Sequence, residues 1–143
     1  MEYLTNGDFS SGKLEPWKPV LGSDIPVVEE EGRYHVQLSH GEKLSQNFWM
    51  ESDEPRRFRV KVELRVEGGS GEAAGQVQLI WSSGAIHTFN LVESPEWRTV
   101  EIPANFTSLS SSNTIQLLVQ ARYDKEVSVR SVSVTDDTKA DSA

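Results

Sequence analysis

Ten consecutive residues, Arg57 to Val66, alternate without a break between charge and hydrocarbon. Phe58, Val60, Val62, Leu64 and Val66 fall in one phase, and Arg57, Arg59, Lys61, Glu63 and Arg65 in the other. In an extended chain successive side chains point to opposite faces, so this segment is a strand with one dry face and one wet face. Such a strand needs a second layer to cover its dry face, which restricts the chain to a layered β fold.

Shorter runs of the same kind recur along the sequence, separated by Gly, Ser, Pro and Asp clusters, while helical periodicity is nearly absent. They predict strands at Leu4–Phe9, Tyr34–Leu38, Leu44–Met50, Phe58–Val66, Val77–Trp81, Ile86–Leu91, Trp97–Ile102, Ile115–Ala121 and Val127–Val134. The expected fold class is therefore all-β: a two-sheet antiparallel β-sandwich. Ser82-Ser83-Gly84 is a hairpin turn, and Gly68-Gly69-Ser70-Gly71 a longer connection. Strands flank both, so neither is a phosphate loop, which needs a helix start after its glycines.

A chain of 143 residues can bury about two thirds of its unfolded surface in one core. Residues 1–135 read as one domain, and residues 136–143 as a flexible acidic tail with nothing apolar to bury. There is no cysteine, which excludes disulfides and thiolate metal sites. The formal charge of -8 argues against a nucleic-acid partner, because phosphate binding draws on clustered Lys and Arg. No apolar run reaches the roughly 18 residues of a membrane span, so no membrane partner is expected. No apolar leader precedes Tyr3; the expectation is a mature domain, an excised module of a secreted protein, or a component of a virion.

The sequence offers no catalytic constellation, no metal set and no cofactor motif. His35, His40 and His87 form no ligand pair on one strand face, and no nucleophile elbow is present. Glu29-Glu30-Glu31, Asp53-Glu54 and Asp136-Asp137 sit in expected turns, where carboxylates are solvated rather than poised for hydrolysis. Asn105-Phe106-Thr107 fits the N-glycosylation pattern.

Three ordered segments carry a resemblance. They are Asn6-Gly7-Asp8-Phe9 with Pro16-Trp17; Leu44-Ser45-Gln46-Asn47-Phe48 with Phe58-Arg59-Val60-Lys61-Val62; and Glu96-Trp97-Arg98-Thr99-Val100 with the strands at Ile115–Ala121 and Val127–Val134. Together they cover almost the whole chain and resemble carbohydrate-binding modules of the family 4, 9, 16 and 22 type, which have a galactose-binding-like jelly roll. The resemblance implies jelly-roll topology, a non-catalytic role, and a poly- or oligosaccharide bound on a concave sheet. It also implies that Trp17 and Trp97 pack in the core. One departure stands out. Where the family carries calcium-binding acidic residues, this chain has Ser10 and Arg130-Ser131, a set that does not suit a hard cation. The expectation is no calcium, with Arg130 as a cationic substitute, and a shift in apolar phase predicts a bulge at Arg130-Ser131.

Dealing the strands to two jelly-roll sheets assigns the outer faces by parity. One sheet turns out Ser45, Asn47, Trp49, Gln76, Gln78, Ile80, Ile86, Thr88, Asn90, Gln116, Leu118, Gln120 and Arg122. Amides serve sugar hydroxyls and an aromatic plane serves a pyranose face. The candidate ligand-binding residues are Trp49, Asn47, Gln78, Thr88, Asn90, Gln116, Gln120 and Arg122, with Trp49 expected at a sheet centre. The plain alternative is a polar face turned to water. Trp81 and Gln46 take the inward phase, and Gln46 must find hydrogen-bond partners inside. The other sheet turns out His35, Gln37, Arg59, Lys61, Arg65 and Arg130 around Glu63 and Glu101. That face is either a cross-strand ion-pair ladder or a dock for an acidic partner or anionic glycan. Because one fold serves many uses, a second function stays open: a structural module of a phage particle, in capsid decoration or tail, that meets protein partners in a larger assembly.

Overall fold

Period-2 patterning is realised as ten strands and no helix among the described residues, which are 3–20, 25–39, 41–50, 56–66, 73–81, 86–92, 94–106, 113–122 and 125–136 of a computed structural model. In chain order the strands are β1 (Lys18–Pro19), β2 (Val27–Glu30), β3 (Arg33–Ser39), β4 (Lys43–Met50), β5 (Arg56–Arg65), β6 (Ala73–Trp81), β7 (Ile86–Val92), β8 (Arg98–Phe106), β9 (Asn113–Ala121) and β10 (Glu126–Asp136). They form two five-stranded sheets, ordered β2-β3-β10-β5-β8 and β1-β4-β9-β6-β7, with every pairing antiparallel. Without β1 and β2 the eight remaining strands have the order of a jelly roll. The division of the eight main strands between sheets is the one the jelly-roll resemblance implied. The turn at Ser82-Ser83-Gly84, the Gly68-Gly69-Ser70-Gly71 connection, His40, Asp53-Glu54, Thr107 and residues 137–143 lie outside the described residues.

The inner faces meet to make one core. Phe58, Val60, Val62 and Leu64 of β5 are at most 1% exposed, and burial of each such side chain contributes about 1.5–3 kcal/mol. Leu44 and Phe48 of β4, Val77, Leu79 and Trp81 of β6, and Ile115, Leu117 and Val119 of β9 face them from the second sheet. The predicted bulge is present: the β10–β5 register shifts between Val129 and Ser131, around Arg130.

The expected first strand is not a strand. Leu4–Phe9 is a run of bends and turns in which Asn6 (φ 54°) and Phe9 (φ 57°) take left-handed conformations that a strand cannot contain. Asn6 organises it, with Nδ2 donating to the carbonyls of Lys13 (2.8 Å) and Glu15 (3.0 Å), while its own carbonyl accepts from Trp17 Nε1 at 2.9 Å. The knot drives Phe9 and Trp17 into the core, rings 5.8 Å apart. Burial of the Phe9 ring offsets the cost of its backbone strain, about 1–3 kcal/mol. Gly7 is needed for close approach: a Cβ there would collide with the Val132 carbonyl of β10, whose N–H donates to Gly7 O at 2.8 Å.

Tyr3 pins this segment across both sheets, stacking on Phe48 of β4 at 5.3 Å and meeting Phe58 of β5 edge-on at 5.7 Å. Gln46 completes the attachment. It is 6% exposed, and its amide accepts from Thr5 N (2.7 Å) and donates to Thr5 O (2.8 Å), a two-way bond that satisfies an inward polar side chain with local backbone. Gln46→Ala removes both bonds and is expected to lower the unfolding free energy by about 2 kcal/mol, seen as a lower urea midpoint at unchanged slope.

Candidate functional site

The outer face of the second sheet is a grid set by register. One row reads Asn47, Gln116, Ile80, Ile86; the next Ser45, Leu118, Gln78, Thr88; the next Lys43, Gln120, Gln76, Asn90. Arg122 lies just beyond the last row, and Trp49 and Thr114 lie before the first. Every sequence-predicted ligand residue is on this face, although not all of them meet. Gln78 Nε2 donates to Thr88 Oγ1 at 3.3 Å, and Leu118 at the grid's centre is 8% exposed beneath its neighbours.

Two hollows take five of the eight predicted residues, Asn90, Gln120 and Arg122 in one and Asn47 and Trp49 in the other. The first, about 240 Å³, is lined by Ala73, Gly75, Gln76, Asn90, Gln120, Ala121 and Arg122. Its floor follows from the sequence: three consecutive residues of β6 are Ala73, Ala74 and Gly75, and the β6–β7 register shifts between Ala73 and Gly75. A Cβ at Gly75 would collide with the Gln120 carbonyl, so the strands approach here only because that residue is glycine. Arg122 Nη1 reaches Ala73 O at 3.4 Å and holds the guanidinium on the rim. The second hollow, about 490 Å³, opens along β4 between Lys18, Ser45, Asn47 and Trp49 and the Tyr3–Thr5 segment.

Trp49 is 57% exposed, as its outward phase predicts, but it stands at a corner of the sheet and not at the centre. The neighbouring strand β1 pairs only with Leu44 and Ser45, so it ends before reaching Trp49. From Trp49 to Asn90 the face spans about 25 Å diagonally, taking ~4.8 Å per strand and ~3.4 Å per residue. Sequence reasoning missed Lys18 and Lys43 as members of the face; Gly75 inside an alternating strand was the available cue to the first hollow.

The outer face of the first sheet is built from ion pairs. Arg65 grips Glu30 with two bonds (2.8 and 3.1 Å), Arg130 and Arg33 converge on Glu63 (2.6 and 3.0 Å), and Arg59 and Lys61 flank Glu101 (3.8 and 3.6 Å). This is the ladder arrangement. Arg130 is committed to it, with its guanidinium 4.4 Å from the Trp97 ring centroid. Trp97 is not in the core, contrary to what the resemblance implied. It lies half-buried on this outer face, within 4.6 Å of the Arg65 guanidinium, and its indole N–H donates to Glu30 at 3.4 Å. His35 lies beneath, 1% exposed, its ring edge-on to Trp97 at 5.4 Å; neither ring nitrogen has a hydrogen-bond partner.

Comparison with solved structures places this architecture. A family 61 carbohydrate-binding module in complex with β-1,4-galactotriose superposes with a TM-score of 0.62 at 19% identity, covering 95% of this chain and 99% of that one. A family 16 module gives 0.67 at 10% identity, covering 93% of this chain and 99% of that one. The chain shares the carbohydrate-binding-module fold. The same sandwich also matches part of the enzymatically active domain of tailspike protein 4 from bacteriophage CBA120, with a TM-score of 0.59 at 8% identity, covering 94% of this chain and 21% of that one. No protein-family model and no curated protein matches the sequence.

The outer face of the first sheet makes stability depend on pH. Burial lowers the pKa of His35 below its ordinary 6.5, against the opposing pull of Glu30, with Arg65 and Arg130 lowering it further. The bond from Arg65 lowers the pKa of Glu30, and the bond from Arg130 that of Glu63. A base with a depressed folded pKa takes up its proton more readily unfolded, so stability falls as the pH drops below about 6.5; the carboxylates add their loss below about 4.5. His35→Phe should flatten the dependence of melting temperature on pH between about 6.5 and 5. An unchanged slope in that variant would assign the proton uptake to another group.

Proposed function

We propose that the chain is a non-catalytic carbohydrate-binding module that lays a polysaccharide across the outer face of the second sheet. The observation that carries this reading is the composition of that face: a grid of Asn47, Gln116, Gln78, Gln120, Gln76 and Asn90 with Trp49 exposed at one corner. Amides donate to and accept from hydroxyls at small desolvation cost, and an indole ring covers the apolar face of a pyranose. The first sheet's outer face offers the opposite: carboxylates and guanidiniums already paired, with Trp97 covered by two of them. The shared fold with the module solved around galactotriose supports the same class of ligand.

In this reading Trp49 and Asn47 hold one end of the glycan, Gln116, Gln78 and Thr88 its middle, and Gln120, Asn90 and Arg122 the other end. Residues 1–135 act as one domain and residues 136–143 as a tail.

A second reading draws on the tailspike match: a structural module of a phage particle that contacts protein partners. It predicts a stable oligomer in size-exclusion chromatography and no retention on any glycan.

Affinity electrophoresis through gels containing β-galactan, xylan or glucomannan tests the first reading. Retention should appear with at least one polymer, and Trp49→Ala should weaken it about tenfold, or ~1.4 kcal/mol, with an unchanged melting temperature because the ring is largely exposed. Retention that survives the substitution would move the site off this face.

A further inference from the structure

The edge strands of the two sheets are β2 and β8 in the first and β1 and β7 in the second. β1 is two residues long. β2 has four residues and ends on Glu29 and Glu30. β8 carries Arg98, Glu101 and Pro103. Short length, charge and proline are the devices that keep a sheet edge from pairing with another chain. β7 has none of them. It runs for seven residues, Ile86–Val92, without Asp, Glu, Lys, Arg or Pro, and among the described residues β6 is its only partner strand.

Register decides which backbone groups this edge presents. The N–H of Val20 donates to Lys43 O, and that of Ala121 to Glu42 O. Successive residues of a strand turn their N–H and C=O to opposite sides, so Gln116, Leu118 and Gln120 of β9 turn theirs towards β6. By the same alternation Val77 and Leu79 of β6 bond Phe89 and His87 of β7. Ile86, Thr88, Asn90 and Val92 therefore turn their backbone groups to the open side. Their side chains belong to the second sheet's outer face, where Ile86 is 57% and Val92 39% exposed.

We propose that β7 pairs edge to edge with β7 of a second copy of this chain, antiparallel and about a two-fold axis at Phe89. The open side reads apolar, polar, polar, apolar, an order that is the same from either end. The two-fold sets Ile86 against Val92 of the second copy and Thr88 against Asn90, and each such pair exchanges backbone hydrogen bonds. Phe89 meets its own counterpart in a non-bonded pair, the kind in which side chains approach most closely. Its ring is half-buried at the margin of the core, and the second ring would cover it. An isologous contact requires a self-complementary strip, whereas a partner of another sequence would not need this symmetry. Charge also favours a second copy on this strand: two molecules of net charge -8 repel, and β7 is a strip where no formal charge opposes its like. The outer face stays open on pairing, so the row of Gln78 and Thr88 runs on into Asn90 and Gln76 of the second copy. The pairing goes beyond the carbohydrate reading and does not depend on it.

Sedimentation velocity on the full chain, from about 10 μM to 1 mM, tests the proposal. One strand pair is smaller than the ~1,200–2,000 Å² of a stable interface, so the dimer should be weak and should fill as concentration rises. Ile86→Pro should leave a monomer with its melting temperature retained, because proline is tolerated at the first residue of a strand and the Ile86 N–H does not face β6. Val92→Lys, at an exposed side chain, should weaken association about tenfold or more and carries the test should the proline disturb the strand. The chain has no cysteine, so a single one reports the register. Phe89→Cys should cross-link to its own copy under mild oxidation, since Cα atoms about 4.5 Å apart on the axis suit a disulfide. His87→Cys should not, its copies lying ~14 Å apart along the pair. A monomer at every concentration would overturn the proposal, as would a species larger than a dimer. Association unchanged in both Ile86→Pro and Val92→Lys, or cross-linking through His87→Cys in place of Phe89→Cys, would do the same by moving the contact off this edge or this register.

Discussion

Face-to-face burial of two pleated sheets governs everything else in this molecule. Each strand can hide only alternate side chains, so the residues that fill the core also decide, one position away, what the outer faces carry. Val60, Val62 and Leu64 of β5 are sealed against the second sheet, and this same register turns Arg59, Lys61, Glu63 and Arg65 outward. In β9, burial of Ile115, Leu117 and Val119 turns out Gln116, Leu118 and Gln120. A slip of one residue in any central strand would exchange core for surface along its whole length. The N-terminal knot guards against such slips at one side of the sandwich, because Tyr3, Phe9, Trp17 and the Gln46–Thr5 bonds engage both sheets in one register.

The two outer faces answer the same constraint with different chemistry. On the first sheet, strands that turn out long charged side chains place opposite signs across from one another, and the arginines spread over Trp97 instead of reaching solvent alone. The bulge at Arg130 serves this arrangement: the extra residue aims its guanidinium at Glu63 across the strand pair. His35 is the cost of the covering, a buried ring whose nitrogens have no partner. On the second sheet the outward residues are mostly amides and hydroxyls, with Ile80, Ile86 and Leu118 among them and Trp49 at a corner. Here a register shift beside Gly75 accompanies the hollow.

Most of the fold was legible in the sequence because it is written in period 2. The eight main strands, the bulge and the inward Gln46 all follow from the alternation of apolar and polar residues, while the division of strands between sheets came from the jelly-roll likeness. What could not be read lacks a period. β1 is two residues long and carries no pattern, yet its early end sets Trp49 at a corner. Leu4–Phe9 has apolar residues at strand-like spacing, but Asn6 and Phe9 adopt left-handed backbone that local composition does not announce. Trp97 is instructive in another way. It shares its phase with Glu101, and parity alone would have put it outside; the family likeness drew it inward, and the structure follows the parity. The candidate site was legible as a face but not as two hollows, since hollows depend on which small side chains come together across strands.

Those small side chains tie the fold to the hollow at the start of β6. Gly75 and its alanine neighbours would weaken an isolated strand, for they bring little to bury and glycine loses much freedom on folding. β6 tolerates them because it is central, with β9 on one side and β7 on the other, and because Val77, Leu79 and Trp81 supply its burial a few residues later. The strand thus separates its duties along its length, one end for the core and the other for the hollow. Arg122 leaves β9 beside that hollow and is tied to it by backbone, through Arg122 N to Ala74 O at 2.8 Å and Nη1 to Ala73 O. Arg122 therefore has a fixed place on the rim of the hollow.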